Sequence, residues 1–390
     1  MSRPPISLIL LLLLPLSSCR TLTYKALNGT RFPTARCNDG SVPGFYHDPS
    51  MSSPETVAIY LSSGGWCYDA ATCAERWATN RELMTSDGWP TLKKIGGIMD
   101  STAPPLDSAA WVSVPYCTSD GHMGDRDDSS DTGYVFRGTA VFQAVLETVS
   151  EMYGSPSSVI LGGASAGARG AMVHLDYAAD YFSPVPVVGI LDSPLWVDLN
   201  PPSTSSKPGL AYQTQKVYDL VGAKELGEEL LGESCMAAHE GEQWKCMFGE
   251  YRMEHVSTRF LLVSAEFDSF QLGEDLVAPT SAENADFATE FGSKMRDVFK
   301  ELMVGGGREG SAYYSQPCYN HAISMSGAYY TSATSAGVSL DAAVRSFLAS
   351  RPSDSPSDLT DYCDAGFGSC TGGGATCPAA AAAAGAELRS

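Results

Sequence analysis

The sequence predicts an α/β fold in which a mostly parallel β-sheet is covered by helices on both faces. Strand-like apolar runs and helix-like segments alternate from about residue 56 to residue 350. Such alternation is typical of parallel sheets, because each crossover helix packs onto a face of the sheet. The chain has 390 residues, 44% of them hydrophobic, so it can bury a sizeable core.

Short apolar runs rich in β-branched and aromatic residues predict the strands. They are Val57–Leu61, Trp111–Val114, Ser158–Leu161, Val188–Leu191, Phe260–Ser264 and Ser311–Tyr314. Apolar residues at helical spacing predict helices over Phe136–Met152, Ala168–Phe182, Phe287–Met303 and Leu340–Leu348. Residues from about 195 to 258 interrupt this alternation. We interpret them as a cap insertion over the carboxyl edge of the sheet, with a peripheral excursion as the alternative.

The N-terminus has the pattern of a secretory signal peptide. Arg3 precedes an apolar run from Ile6 to Leu16, and the small residues Ser17 and Ser18 follow. We expect a signal peptide over residues 1–18, the α/β domain over 19–362, and a Cys-containing, then Ala-rich and partly disordered tail over 363–390. The protein is expected to be secreted, or lipid-anchored at Cys19 if its source is bacterial.

Charge and cysteine usage narrow the function classes. The net charge of −20 repels nucleic acid and anionic membranes, so we expect neither nucleic-acid binding nor stable membrane insertion, and we expect a monomer. Of the 11 cysteines, those other than Cys19 are even in number, which indicates up to five disulfides in a secreted protein. Cys67–Cys73 and Cys235–Cys246 are candidate local pairs. Zinc is the alternative for Cys235, His239, Cys246 and His255.

A G-x-S-x-G pentapeptide, Gly163–Gly167, contains the candidate nucleophile Ser165. It lies directly between a predicted strand and a predicted helix, as does the nucleophile elbow of α/β-hydrolases. Small residues around the serine relieve the clashes of that sharp turn. The main-chain N–H of Ala166 would then donate to an oxyanion. The alternative is a Gly-rich turn without chemistry.

A serine nucleophile needs a general base and an acid that orients it. The chain has six histidines, and His321 is the only one after His255. Because the triad of α/β-hydrolases runs Ser, acid, His along the chain, His321 is the predicted base. Asp268 follows a predicted strand and is the predicted acid, since this fold places its chemistry at strand carboxyl ends. Asp192 is the alternative acid.

Two further loops contain candidate site residues. Ser62–Cys67 follows an early strand and is Gly-rich, so the N–H groups of Gly65 and Trp66 are predicted oxyanion donors. A mere tight turn is the alternative. The acidic loop Gly124–Asp131 resembles a calcium loop only weakly, because it lacks the Gly and distal Glu of an EF-hand. We interpret it as a solvated loop.

Several segments, in this order, resemble the family of secreted carboxylesterases formed by the pectin acetylesterases and Notum. They are Cys37–Ser41 with Pro43–Tyr46, Gly64–Cys67, Trp89–Pro90, Pro115–Asp120, Gly163–Gly167, Phe267–Asp268 with Gln271–Leu272, and Cys318 with His321. Ser62 and Ala168 stand where the family usually has Glu and Gly. The resemblance implies an α/β-hydrolase core that cleaves O-acyl esters without a metal or cofactor.

The family divides by acyl group, and the resemblance implies two substrates. The first is acetylated, pectin-like polysaccharide, deacetylated through an acyl-enzyme. The second is a lipidated protein, from which a Notum-like enzyme removes palmitoleate. A non-catalytic extracellular binding protein on the same fold is the alternative from another class, since a fold alone does not establish an activity.

Overall fold

The computed structural model describes residues 20–102, 104–206, 208–276, 281, 284–304, 307–327 and 334–370. The strands are, in chain order, β1 (Thr21–Ala26), β2 (Gly44–His47), β3 (Thr56–Leu61), β4 (Leu92–Lys94), β5 (Ala110–Val114), β6 (Ser158–Ala164), β7 (Val187–Asp192), β8 (Phe260–Asp268), β9 (Ala312–Asn320), β10 (Thr334–Ser335), β11 (Val338–Ser339) and β12 (Ser357–Thr360). The predicted signal peptide and residues 371–390 of the predicted tail lie outside the described residues.

The helices surround the sheet. They are α1 (Ala70–Thr79), α2 (Gly138–Tyr153), α3 (Ala166–Phe182), α4 (Leu210–Leu220), α5 (Ala223–Leu231), α6 (Glu233–Ala238), α7 (Gly249–Arg252), α8 (Ser269–Asp275), α9 (Ala285–Val304), α10 (Leu340–Ala349) and α11 (Phe367–Cys370). Among the described residues, none of these helices is both long enough and apolar enough to cross a membrane.

Ten strands form one sheet in the order β12-β9-β8-β7-β6-β3-β5-β2-β1-β4. Pairing is parallel from β12 to β5 and antiparallel beyond it. The predicted α/β-hydrolase-like architecture, with its mostly parallel sheet, is confirmed. The antiparallel edge formed by β2, β1 and β4 was not predicted.

Alternate residues of the central strands enter two cores, one on each face of the sheet. In β3, Val57, Ile59 and Leu61 pack into the core that includes α2, α3 and α9. Ala58 and Tyr60 point the other way, into the core that includes α10. This period of two in a fully buried strand explains why β3 is apolar throughout, and it places helices on both faces.

The chain leaves the sheet after β7 and returns at β8, and the intervening segment carries α4 to α7. Helix α4 contacts α8, while α5 and α7 contact α3, the helix that follows Ser165. This segment covers the residues for which a cap insertion was predicted.

Residues after β12 pack back onto the sheet. The N–H of Cys363 donates to the buried carboxylate of Glu266 over 2.8 Å. Phe367 packs edge-on against Phe267, with 5.2 Å between ring centroids, and also contacts Tyr319. The beginning of the predicted tail is therefore anchored to β8 and β9.

Disulfides tie the loops at several points. The predicted pairs Cys67–Cys73 and Cys235–Cys246 are confirmed. A third bond joins Cys37 to Cys117 across 80 residues, a separation that spacing alone could not identify. Cys318 and Cys363 are also disulfide-bonded.

Candidate active site

Ser165 lies at the turn between β6 and α3. Its backbone is left-handed, with φ 55° and ψ −121°, a conformation that costs energy for a residue with a side chain. Its N–H donates to the main-chain oxygen of Asp192 over 2.8 Å. Helix α3 begins at Ala166, two residues before the predicted start, because the turn leads straight into the helix. Ala166 therefore presents an N–H that has no partner within the helix.

The glycines of the elbow are required by close backbone approach. A Cβ on Gly167 would lie 2.0 Å from the carbonyl oxygen of Leu61, and one on Gly163 would lie 2.4 Å from the carbonyl carbon of Gly167. Both contacts are with main chain, which cannot rotate away. The small residues of the pentapeptide thus let β6, α3 and the end of β3 meet.

We expect Gly167→Ala to destabilise the fold severely. Overpacking costs about 1–3 kcal/mol when side chains can adjust, and the loss should exceed this range because Leu61 presents main chain. Urea denaturation and thermal unfolding measure the loss. Gly96→Ala is the matched control, since a Cβ at Gly96 meets nothing within 4 Å. Equal stability of the two variants would contradict the packing argument.

The predicted acid and base are in contact. Nδ1 of His321 lies 2.7 Å from Oδ2 of Asp268. Asp268 is fully buried, and its Oδ1 accepts the N–H groups of Phe270 and Gln271, which caps α8. The ring of Phe270 stacks on the imidazole, with 5.1 Å between centroids. Three contacts thus hold the pair in place.

The surroundings of His321 favour the protonated form of its imidazole. Burial alone would lower the pKa of His321, but the charge and hydrogen bond of Asp268, together with the charge of Asp192, raise it above its ordinary value. Its Nε2 is buried and has no hydrogen-bond partner among the described residues. A nitrogen in this state can accept a proton from an incoming group.

Asp192, the alternative acid, makes different contacts. Its Oδ2 accepts the N–H and the hydroxyl of Ser324 over 2.7 and 2.6 Å. Its Oδ1 accepts the hydroxyl of Ser193 over 3.0 Å. Of the two candidate acids, the one that bonds His321 is Asp268.

The predicted oxyanion loop lies against the elbow and is rigid. Gly64 and Gly65 have φ values of 153° and 64°. The hydroxyl of Tyr116 donates to the carbonyl of Gly65 over 2.8 Å, and the Cys67–Cys73 bond closes the loop. Ser63 Oγ donates to the carbonyl of Ala164 over 2.9 Å, which joins the loop to β6. No described residue accepts a hydrogen bond from the N–H of Gly65, Trp66 or Ala166.

Arg169 and Trp196 were not predicted as site residues. Arg169 lies one turn after Ser165, is 1% exposed, and sits between two indoles, 4.0 Å from the ring centroid of Trp66 and 3.7 Å from that of Trp196. Its Nη2 donates to the carbonyl of Met247 in the insertion. Burial lowers the pKa of Arg169 to about 9. The only sequence signal that could have identified Arg169 was a basic residue among the small and apolar residues at the start of α3.

An aromatic wall, defined here as Trp66, Trp196 and Phe270, extends from the oxyanion loop to His321. Trp196 contacts both of the others, with centroid distances of 5.0 Å to Trp66 and 5.7 Å to Phe270. Gln213 of α4 accepts a hydrogen bond from the indole N–H of Trp66 over 3.1 Å. The wall therefore combines residues from the oxyanion loop, the insertion and the segment that follows Asp268.

The other candidate ligand clusters are occupied by protein groups. In the acidic loop, Asp125 pairs with Arg137, and Asp128 and Asp131 pair with Arg126. Ligand atoms of Cys235, His239 and His255 lie within 4.8 Å of one another. The sulfurs of Cys235 and Cys246 are joined in a disulfide, so they do not offer the thiolates of the alternative zinc site.

Comparison with known proteins gives a consistent family. The family model described as pectinacetylesterase matches residues 19–367. The palmitoleoyl-protein carboxylesterase NOTUM of Drosophila melanogaster is 29% identical over 306 residues, which cover 74% of this chain and 43% of that protein. The NOTUM protein of Homo sapiens is 26% identical over 319 residues, covering 74% of this chain and 59% of its own length.

A solved structure shares the fold. The structure of the Wnt deacylase Notum from Drosophila, in its crystal form II, matches with a TM-score of 0.76 and 27% identity, covering 88% of this chain and 97% of that chain. Against three of the curated full-length relatives, this chain spans 43%, 62% and 64% of their length. The relatives named above are carboxylesterases, which agrees with the class predicted from the sequence.

Proposed function

The chain belongs to the pectinacetylesterase family, and from this premise we propose that it is a secreted serine carboxylesterase that hydrolyses O-acyl esters. The substrate that we propose first is an acetylated, pectin-like polysaccharide. The observation that carries the proposal is the Asp268–His321 pair, whose free Nε2 is buried at the sheet edge that also carries Ser165. Secretion is supported by the predicted signal peptide and by the disulfides, which form in oxidising compartments.

The mechanism is a two-step acyl transfer. Nε2 of His321 takes the proton of Ser165 as Oγ attacks the ester carbonyl carbon. The main-chain N–H groups of Gly65, Trp66 and Ala166 stabilise the oxyanion. As the intermediate collapses, the bond to the alcohol breaks and His321 gives that proton to the leaving oxygen. Water then attacks the acyl-enzyme with the same base, which releases the acid and restores Ser165.

Asp268 and the wall have distinct roles. The carboxylate of Asp268 accepts a hydrogen bond from the Nδ1–H of His321, which leaves Nε2 as the basic nitrogen and stabilises the imidazolium. The insertion over residues 195–258 acts as a cap, because it contributes Trp196 to the aromatic wall and holds Trp66 through Gln213. The wall excludes water from the reacting carbonyl, which strengthens the oxyanion contacts.

A second candidate function is the removal of palmitoleate from a lipidated protein. The observation that favours it is the similarity to palmitoleoyl-protein carboxylesterases. The two functions differ in the acyl group but share the same triad.

The test combines active-site labelling with an acyl-chain series. A fluorophosphonate probe should label the folded protein, and peptide mapping should locate the label on Ser165; heat-denatured protein is the control. Hydrolysis of p-nitrophenyl esters from acetate to dodecanoate should peak at acetate. Rates that rise to octanoate and beyond would favour the second candidate. A protein that is not labelled and turns over none of the esters would favour the non-catalytic binding protein.

A further inference from the structure

Strand β7 separates the nucleophile from the acid and base. In the sheet, β6 pairs with β7, β7 with β8, and β8 with β9. Ala164, which precedes Ser165, is the register partner of Asp192 at the end of β7. Asp268 and Asn320, which precedes His321, are partners at the ends of β8 and β9. The pair Asp192–Ser193 therefore lies between the two halves of the triad.

This pair holds the main chain on both sides. Towards the nucleophile, the carbonyl of Asp192 accepts the N–H of Ser165 over 2.8 Å. Towards the base, the hydroxyl of Ser193 accepts the N–H of Ala322, the residue after His321, over 3.0 Å. The carboxylate of Asp192 accepts both the N–H and the hydroxyl of Ser324.

Each loop that meets here has a left-handed, non-glycine residue. The φ values are 55° at Ser165, 61° at Ser193 and 54° at Ala322. Such conformations persist only where the surroundings hold them. The N–H of Ser193 donates to the carbonyl of Val263 over 2.7 Å, and the other two residues are held by the pair itself. The three strained positions thus belong to one connected set of hydrogen bonds.

The set is closed to solvent. Asp192, Ser193 and Ser324 are each no more than 1% exposed. The hydroxyl of buried Tyr60 lies 2.9 Å from Oγ of Ser324, on the side of the second core. A buried and fully bonded network has little freedom to shift, so it can set a distance between the loops it joins.

We propose that Asp192 and Ser193, acting with Ser324, are positioning residues that set the register of Ser165 against His321. The proposal rests on the triad of the proposed function. Asp192 neither touches substrate nor bonds the imidazole; it acts through the main chain on either side. Loss of a link on the His321 side lets that loop move, which lengthens the path of the proton from Ser165 to Nε2.

The test uses Ser193→Ala and Ser324→Ala, each of which removes one link and keeps the carboxylate. Because a misplacement of about 1 Å can cost on the order of 100-fold in rate, we expect kcat and the rate constant of fluorophosphonate labelling to fall about 10- to 100-fold while KM changes by less than about twofold. Ser113→Ala is the matched control, since Ser113 is buried and its Oγ has no partner among the described residues. It should keep the full rate.

Two further variants separate positioning from general weakening. Asp192→Asn keeps a carbonyl oxygen for Ser324 and should retain most of the rate, whereas Asp192→Ala should not. In a His321→Ala background, Ser193→Ala should leave the residual labelling rate unchanged, because the group it positions is gone. An equal fall in both backgrounds would overturn the proposal.

The outcomes also distinguish this proposal from the proposed function. Full rates in both Ser193→Ala and Ser324→Ala, with an active parent protein labelled at Ser165, would overturn the positioning proposal and leave the proposed function standing. A parent protein that shows neither labelling nor turnover would overturn the function and the positioning together. Circular dichroism and thermal unfolding establish that each compared variant is folded.

Discussion

Ser165→Ala is expected to lower kcat/KM for p-nitrophenyl acetate by roughly a million-fold, the loss typical of removing a serine nucleophile. The acyl-enzyme needs Oγ, and the methyl group of alanine offers none. Hydrolysis above the uncatalysed rate should persist at a low level, since oxyanion donors and binding alone accelerate such reactions about 10³- to 10⁴-fold.

The loss should occur without unfolding. Ser165 is 4% exposed, and alanine fits its volume and accepts the same left-handed φ with similar strain. The melting temperature should stay close to that of the parent protein. Ser264→Ala is the matched control, since Ser264 is buried in β8 and its Oγ has no partner among the described residues. A Ser165→Ala enzyme with substantial turnover, or an inactive Ser264→Ala enzyme, would refute the assignment of the nucleophile.

Asp268→Asn is expected to lower kcat about 10⁴-fold, the loss that the same change causes in a serine protease triad. The amide oxygen can still accept the N–H groups of Phe270 and Gln271, so the cap of α8 survives. The amide NH₂ then faces Nδ1 of His321. A donor there forces the proton onto Nε2, the nitrogen that must accept the proton of Ser165.

The pH profile gives an independent reading of Asp268→Asn. In the parent protein, the pKa of His321 lies above its ordinary value of 6.5, so kcat/KM should fall as the pH drops through a value above 6.5. Without the charge of Asp268 the pKa falls, and the acid limb of the residual activity should move to lower pH. Asp192→Asn removes a charge that also raises the pKa of His321, but it leaves the hydrogen bond from Asp268 in place, so we expect it to move the acid limb less than Asp268→Asn does. A larger loss in Asp192→Asn than in Asp268→Asn would exchange the roles of the two acids.

The class of reaction was predictable because it depends on local patterns. The pentapeptide around Ser165 lies between a strand and a helix, and that context is visible in a single sequence. The order of nucleophile, acid and base along the chain then selects His321 from six histidines. The family match and the shared fold agree with the predicted esterase class and fold.

Features that depend on distant segments were not predictable. Strand β1 has a mixed burial pattern and β4 has only three residues, so neither shows the apolar period on which strand prediction relies. The contacts of Arg169 with Trp66 and Trp196 join residues that are far apart in the sequence, so they are visible only in the folded chain. The contacts of Asp192 with Ser324 span 132 residues, and for this reason the sequence left two candidate acids.

The insertion after β7 has a consequence for the evolution of the family. It leaves the sheet directly after Ser193 and re-enters at Phe260, so both of its ends are anchored in buried strands. The exposed loops within it, such as the one over residues 203–206, can change length at little cost to the fold. Mutations there can remodel Trp196 and its neighbours while the ends of β6, β8 and β9 keep their register. New acyl specificities can therefore arise by exchange of one segment, with the reaction itself inherited unchanged.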